Sequence, residues 1–102
     1  MIFTPQKEAV RGKILHYLAL IYPQAATLPL LQGELDLLGY PVPMDELESH
    51  LGYLVVKELV SLDKFSPAQR LRKVTLVKIT AKGIDYYDGR LPADPGIYVE
   101  PK

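Results

Sequence analysis

The stretch from Met44 to Leu59, MDELESHLGYLVVKEL, constrains the chain most, because its apolar residues recur where a helix gathers them. Leu47, Leu51, Leu54 and Val55 stand at i, i+4, i+7 and i+8 of one stripe, the expected core face. Asp45, Glu48, Ser49, Gly52, Tyr53 and Val56 fall on the other side. In front lies a second helical pattern, Leu28 to Leu38, joined by the turn Gly39-Tyr40-Pro41-Val42-Pro43; behind come two alternating runs joined by a basic loop. The expected architecture is mainly α with a small antiparallel β-hairpin.

With 102 residues, 48% of them hydrophobic, the chain fits one domain with a real but small core. We expect that domain over residues 1–91, followed by a tail over 92–102 that Pro92, Pro95 and Pro101 keep extended. Cysteine is absent, which removes disulfides, thiolate metal sites and cysteine nucleophiles together. No secretory leader is evident in MIFTPQKEAVR, and no stretch approaches a membrane span. A cytoplasmic protein with no membrane association is expected.

The formal net charge is zero, yet the charges are segregated. From Lys64 to Lys82 the chain carries Lys64, Arg70, Arg72, Lys73, Lys78 and Lys82 and no acid. From Ala26 to Asp63 it carries Glu34, Asp36, Asp45, Glu46, Glu48, Glu58 and Asp63 against one base, Lys57. Such an asymmetry along the sequence calls for a functional reading.

In chain order, Thr4-Pro5 signals a helix start, since threonine caps free amides and proline suits the first turn. The first helix is expected to run to about Ile21, with Val10, Ile14, Tyr17, Leu18 and Ile21 inward and Glu8, Arg11, Lys13 and His16 mostly outside; Pro23 ends it. Gln24 to Ala26 has room for a small first strand. Thr27 caps the second helix, whose seam is Leu28, Leu31, Leu35 and Leu38, widened by Leu30 and Leu37, and Gly39 terminates it.

After the third helix, Val60 to Phe65 alternates, with Val60 and Leu62 opposite Ser61 and Asp63. Ser66 to Arg72 is a loop by composition, and Lys73 to Ile79 resumes the alternation. Val74 and Leu76 lie on one face there, Thr75, Val77 and Ile79 on the other. Thr80 caps a last short helix, Ala81 to Asp88, with Ile84 and Tyr87 as core contacts and Gly89 as its stop. Ile97-Tyr98-Val99 can add an edge strand or reach a neighbouring subunit.

The segment Thr27 to Gly89 resembles the bacterial winged helix-turn-helix superfamily, in the style of the multiple-antibiotic-resistance and arsenical-repressor regulators. The resemblance is carried by Leu59-Val60-Ser61-Leu62, a loop, and Val77-Lys78-Ile79-Thr80-Ala81-Lys82-Gly83, which is similar to the strand, wing, strand and T-x-x-G helix start of that group. The overall length, the turn Leu38-Gly39-Tyr40-Pro41-Val42 and the ending Asp88-Gly89-Arg90 before a proline-bearing tail also resemble small winged-helix proteins of Mu-like prophages. The resemblance implies a three-helix core plus a wing and a short C-terminal helix. It further implies double-stranded DNA as partner, with the third helix in the major groove and the wing on the backbone or minor groove. Helix 1 and the C-terminal arm are by resemblance the dimer elements.

The candidate DNA-binding residues are Ser49 and Tyr53 on the third helix and Lys64, Gln69, Arg70, Arg72 and Lys73 around the wing. Against a base-reading helix stands its acidic start, Asp45, Glu46 and Glu48, although acids there also stabilise the positive helix end without any ligand. A basic hairpin tip, equally, can be a solvated edge that resists aggregation. The alternative is a protein-interaction module in which Asp45, Glu48, Tyr53 and Val56 meet a basic protein partner. Seven tyrosines make a homodimer interface plausible, though tyrosine also half-buries at a core rim.

Enzyme chemistry has no support. His16 and His50 are the two histidines, on different helices, and neither H-E-x-x-H, a Gly-rich phosphate loop nor G-x-S-x-G is present. Glu46 and Glu48, two apart on a helix, do not face each other. Gly12, Gly33 and Gly52 are isolated in helical patterns, where they mark close packing or a tolerated cost. No catalytic residue, metal site or cofactor is expected.

Overall fold

Two threonines and three left-handed residues punctuate the chain. The computed structural model describes residues 6–65 and 74–100, in the order α1 (Gln6–Ile21), β1 (Ala26–Thr27), α2 (Leu28–Leu37), α3 (Met44–Val56), β2 (Val60–Phe65), β3 (Val74–Ile79) and α4 (Ala81–Tyr87). Thr27 Oγ1 accepts from the Leu30 amide at 3.3 Å and Thr80 Oγ1 from the Gly83 amide at 2.9 Å, so each relieves one of the amides that a helix start leaves unpaired. The Thr4-Pro5 start and the 66–73 loop expected from the sequence lie outside the described residues.

Three helices stop by the same device. Gly39 (φ 90°), Glu58 (φ 67°) and Gly89 (φ 81°) each adopt left-handed geometry one residue past the cap. The amide after each reaches back five residues, Tyr40 to the Leu35 carbonyl, Leu59 to Leu54 and Arg90 to Asp85, while the left-handed residue's own amide reaches back three. This paired arrangement satisfies carbonyls that have no intrahelical partner. It ends α3 at Val56 and not at Leu59, as the apolar pattern suggested. Leu59 is instead buried and feeds the sheet.

The strands form an antiparallel sheet in the order β1-β3-β2, so the expected hairpin gains β1 as a third strand. The fold is thus mixed, four helices with a three-stranded sheet, among the described residues. Val60 pairs with Ile79 and Leu62 with Val77, which puts these four on the face toward the helices. Burial fades outward along it: Val60, Val77 and Ile79 are buried, whereas Leu62 is exposed.

The core is built by α1 (Val10, Ile14, Leu15, Leu18), α2 (Leu31, Leu35), α3 (Leu47, Leu51, Leu54) and the sheet. Each of these side chains, fully buried, contributes roughly 1.5–3 kcal/mol of transfer free energy. Several single-stripe expectations are corrected. On α1, Leu15, Ala9 and Gly12 are buried as well, while Tyr17 and Ile21 are only partly so, because that helix is packed by α2, α3, α4 and β3 together. On α2, Leu30, Leu37 and Leu38 are exposed, the last two at 81% and 44%, since a ten-residue helix presents only two leucines squarely to the core. On α3, Val55 is exposed at 38% and His50 takes its place inside at 3%. On α4, Tyr86 and Gly83 are buried, with Ile84 and Tyr87 half-buried beside them.

Among the described residues, the chain after α4 adds no strand. It folds back over the domain, burying Ile97 in the core cluster and donating the Tyr98 amide to the Glu8 carbonyl of α1 at 3.0 Å. Gly12 lies beneath it: a β-carbon there would collide with the Tyr98 carbonyl oxygen. Gly83 is similarly pressed against the Leu59 carbonyl. Gly33 and Gly52 face open space, so of the three isolated helical glycines only Gly12 marks a close approach.

Candidate functional site

The outward side of α3 is acidic at its start. Asp45, Glu46 and Glu48 are exposed, as are Ser49 and Gly52, and Val56 ends the face at 79% exposure. Pro43 at the cap offers no side-chain hydrogen bond to the helix, and Asp45 Oδ1 accepts from the Glu46 amide at 2.9 Å. Carboxylates in this first turn complement the positive end of the helix. The exposed face therefore combines negative charge, a smooth middle and an apolar end.

The hairpin has the opposite sign. Lys64 on β2 and Lys78 on β3 are exposed, with Asp63 the one acid on the two strands. Lys78 Nζ lies 5.8 Å from the centroid of the Tyr22 ring, which brings the end of α1 beside the sheet. The remaining wing candidates, Gln69, Arg70, Arg72 and Lys73, lie outside the described residues.

Tyr53 is placed differently from Ser49. Its hydroxyl donates to Asp94 Oδ1 at 2.6 Å, and the Arg11 guanidinium carbon stands 3.9 Å from its ring centroid. Lys57 Nζ meets Asp94 Oδ2 at 3.1 Å. Arg11 also donates to His50 Nδ1 at 3.2 Å and to the Gly96 carbonyl at 3.0 Å. Asp94 holds its own turn, Oδ1 accepting from the Gly96 amide at 2.8 Å while the Ile97 amide donates to the Asp94 carbonyl at 3.0 Å. Asp followed by Pro and Gly is suited to such a turn, because the carboxylate mimics a backbone acceptor and proline presets its neighbour's geometry.

This cluster joins α1, α3 and the C-terminal segment. Tyr53's hydrogen bond, with help from the Gly96 amide and Lys57, holds the Asp94 carboxyl below its usual range. The same carboxylate raises Tyr53 and Lys57. His50 is pushed down first by burial and then by the Arg11 charge, consistent with a neutral ring whose Nδ1 accepts from Arg11. Sequence reasoning singled out Tyr53 but missed Arg11, His50 and Asp94 as its company. The Asp94-Pro95-Gly96 turn signal was available; its target was not.

A second polar group lies where the tail crosses α1. Lys13 pairs with Glu100, which raises the lysine and lowers the carboxyl, and His16 Nδ1 shares a hydrogen bond with the Tyr87 hydroxyl. These four line a cavity of about 220 Å³ together with Tyr40 and Tyr98. Lys13 with Glu100 and His16 with Tyr87 are already paired within it. Among the described residues no cluster of three or more His, Asp or Glu could hold a metal ion, and no helix is long and apolar enough to cross a membrane.

A scan against protein-family models finds no match to this chain, and neither curated proteins nor solved structures provide one.

Proposed function

We propose that the chain is a small DNA-binding protein of winged-helix build, a homodimeric regulator of phage type in which the hairpin makes the main contact. The element order helix, strand, helix, helix, hairpin and the strand order β1-β3-β2 support that build. The observation that carries the reading is the division of charge between α3 and the hairpin. A helix opening with Asp45, Glu46 and Glu48 is poorly suited to lie first among phosphates. A hairpin with exposed Lys64 and Lys78, joined by a segment bearing Arg70, Arg72 and Lys73 and no acid, is well suited to phosphate or minor-groove contact. On this reading the wing supplies affinity, and α3 adds at most Ser49 and its far end. The test is duplex binding by the protein and by the double variant Arg70→Ala, Arg72→Ala, which should bind at least tenfold more weakly.

One observation favours a second reading, a protein-interaction module without DNA binding. Val56, at 79% exposure, lies on the same helix as the exposed acids Asp45 and Glu48, the combination that a basic amphipathic partner would match. Absence of duplex binding at low salt selects this second reading.

A further inference from the structure

The C-terminal segment carries two acids in its described part past α4 and the Arg90 turn, Asp94 and Glu100, and each sits on a cation of the helical face beneath it. Asp94 meets Lys57 and Glu100 meets Lys13. Lys57 is the one base of the third-helix sequence and Tyr53 its one aromatic residue. Both converge on the same carboxylate, with Arg11 stacked on the tyrosine ring. A hydroxyl donor and an ammonium directed at one anion form a donor pair that a phosphate diester accepts from, and the Arg11 guanidinium, spent on His50 and Gly96, holds the tyrosine ring in place. The segment thus lies on its domain as a short polyanion lies on a basic face.

We propose that Tyr53 and Lys57, with Arg11 positioning the tyrosine ring, form a phosphate-binding site for duplex DNA at the far end of α3, which the Asp94 carboxylate occupies from within the same chain. The site rests on the DNA-binding reading and deepens it, since it gives the otherwise acidic α3 a place to contact the backbone. Exchange is local. Ile97 remains anchored in the core, and the Asp94 amide on the Tyr86 hydroxyl and the Gly96 carbonyl on Arg11 keep the turn's backbone in place, while the Asp94 side chain turns away and the diester takes its place on Tyr53 and Lys57. Access to the site is then set by competition between an internal carboxylate and an external phosphate.

The experiment is fluorescence anisotropy of a labelled duplex with the full chain and with Asp94→Asn, which keeps an oxygen for Tyr53 and Gly96 but removes the competing charge. Asp85→Asn, which takes the same charge from the ion pair with Arg90, controls for net charge. Asp94→Asn should bind at least about fivefold more tightly than either, with a log-log salt slope steeper by about 0.9, the signature of one more phosphate contact. Adding Lys57→Ala should cancel the gain. Should Asp94→Asn fail to fold, Asp94→Ser, which leaves a neutral acceptor near the Gly96 amide and spares Tyr53 and Lys57, is read in the same way. If the unmodified chain binds duplex and Asp94→Asn gains no more than Asp85→Asn, the internal competitor is refuted and DNA binding stands. If none of the proteins binds duplex, both are refuted together.

Discussion

Arg11 stacks over Tyr53, its guanidinium carbon 3.9 Å from the ring centroid, and from there its nitrogens reach His50 on α3 and the Gly96 carbonyl of the tail. One side chain of α1 thereby fixes two other parts of the chain. The planar fork is what allows it, since a lysine ammonium cannot stack and donate in two directions at once. Arg11→Lys should therefore destabilise the protein by about 1–2 kcal/mol, the loss of charged hydrogen bonds to partly buried acceptors, read from the urea midpoint at unchanged slope.

Gly12 and Gly33 make opposite predictions from the same substitution. At Gly12 a β-carbon meets the Tyr98 carbonyl, so Gly12→Ala must lift the tail and should cost more than about 2 kcal/mol, in the manner of an overpacked contact. At Gly33 nothing lies within reach, and Gly33→Ala in the middle of α2 should stabilise by roughly 0.5–1 kcal/mol through the unfolded chain's lost freedom. Thermal melts of the two variants side by side check both signs.

Leucine is equally position-dependent. Leu51→Ala, which empties a fully packed site on α3, should cost about 2–5 kcal/mol. Leu37→Ala, at a side chain 81% exposed, should stay within about 0.5 kcal/mol. A denaturant series in which Leu37→Ala proved the more damaging would mean that this surface is covered in solution.

His50 sets a pH dependence. Its folded pKa lies below the unfolded value of about 6.5, so the unfolded chain binds the extra proton first. The stability that neutral His50 provides is complete above that value and declines as pH falls through the window below it, until the folded pKa is passed. The groups around the ring are Arg11 and Lys7, which oppose its protonation, and Glu46 and Glu8, which favour it. His50→Asn, which keeps an acceptor for Arg11, should flatten the decline of melting temperature between about pH 7 and pH 5, the range in which an unperturbed histidine titrates.

Much of this fold was legible because local chemistry and global packing agree. Thr27, Thr80, Gly39 and Gly89 mark their boundaries by side chain or by the lack of one. The end of α3 was not legible, because Glu58, a residue without glycine's freedom, takes the left-handed position there. Val55, expected inward, is exposed and His50 is buried, since the packing partners, not the apolar count, decide which stripe turns inward. The tail's place on the domain was not legible for a related reason: three prolines exclude helix, but nothing in Pro92 to Glu100 states that Ile97 enters the core or that Asp94 meets Tyr53 and Lys57. Contacts between residues 41 positions apart have no local signature.

The central claim, that the basic hairpin binds duplex DNA, is tested most directly by anisotropy of a pooled set of labelled duplexes at about 50 and 200 mM salt, the range over which phosphate contacts reveal themselves. The predicted result is micromolar or tighter binding at the lower salt, a log-log slope of about −3 to −4 per subunit from three or four neutralised phosphates, and marked weakening by Arg70→Ala with Arg72→Ala. No binding even at the lower salt would contradict the claim and assign the exposed face of α3 to a protein partner.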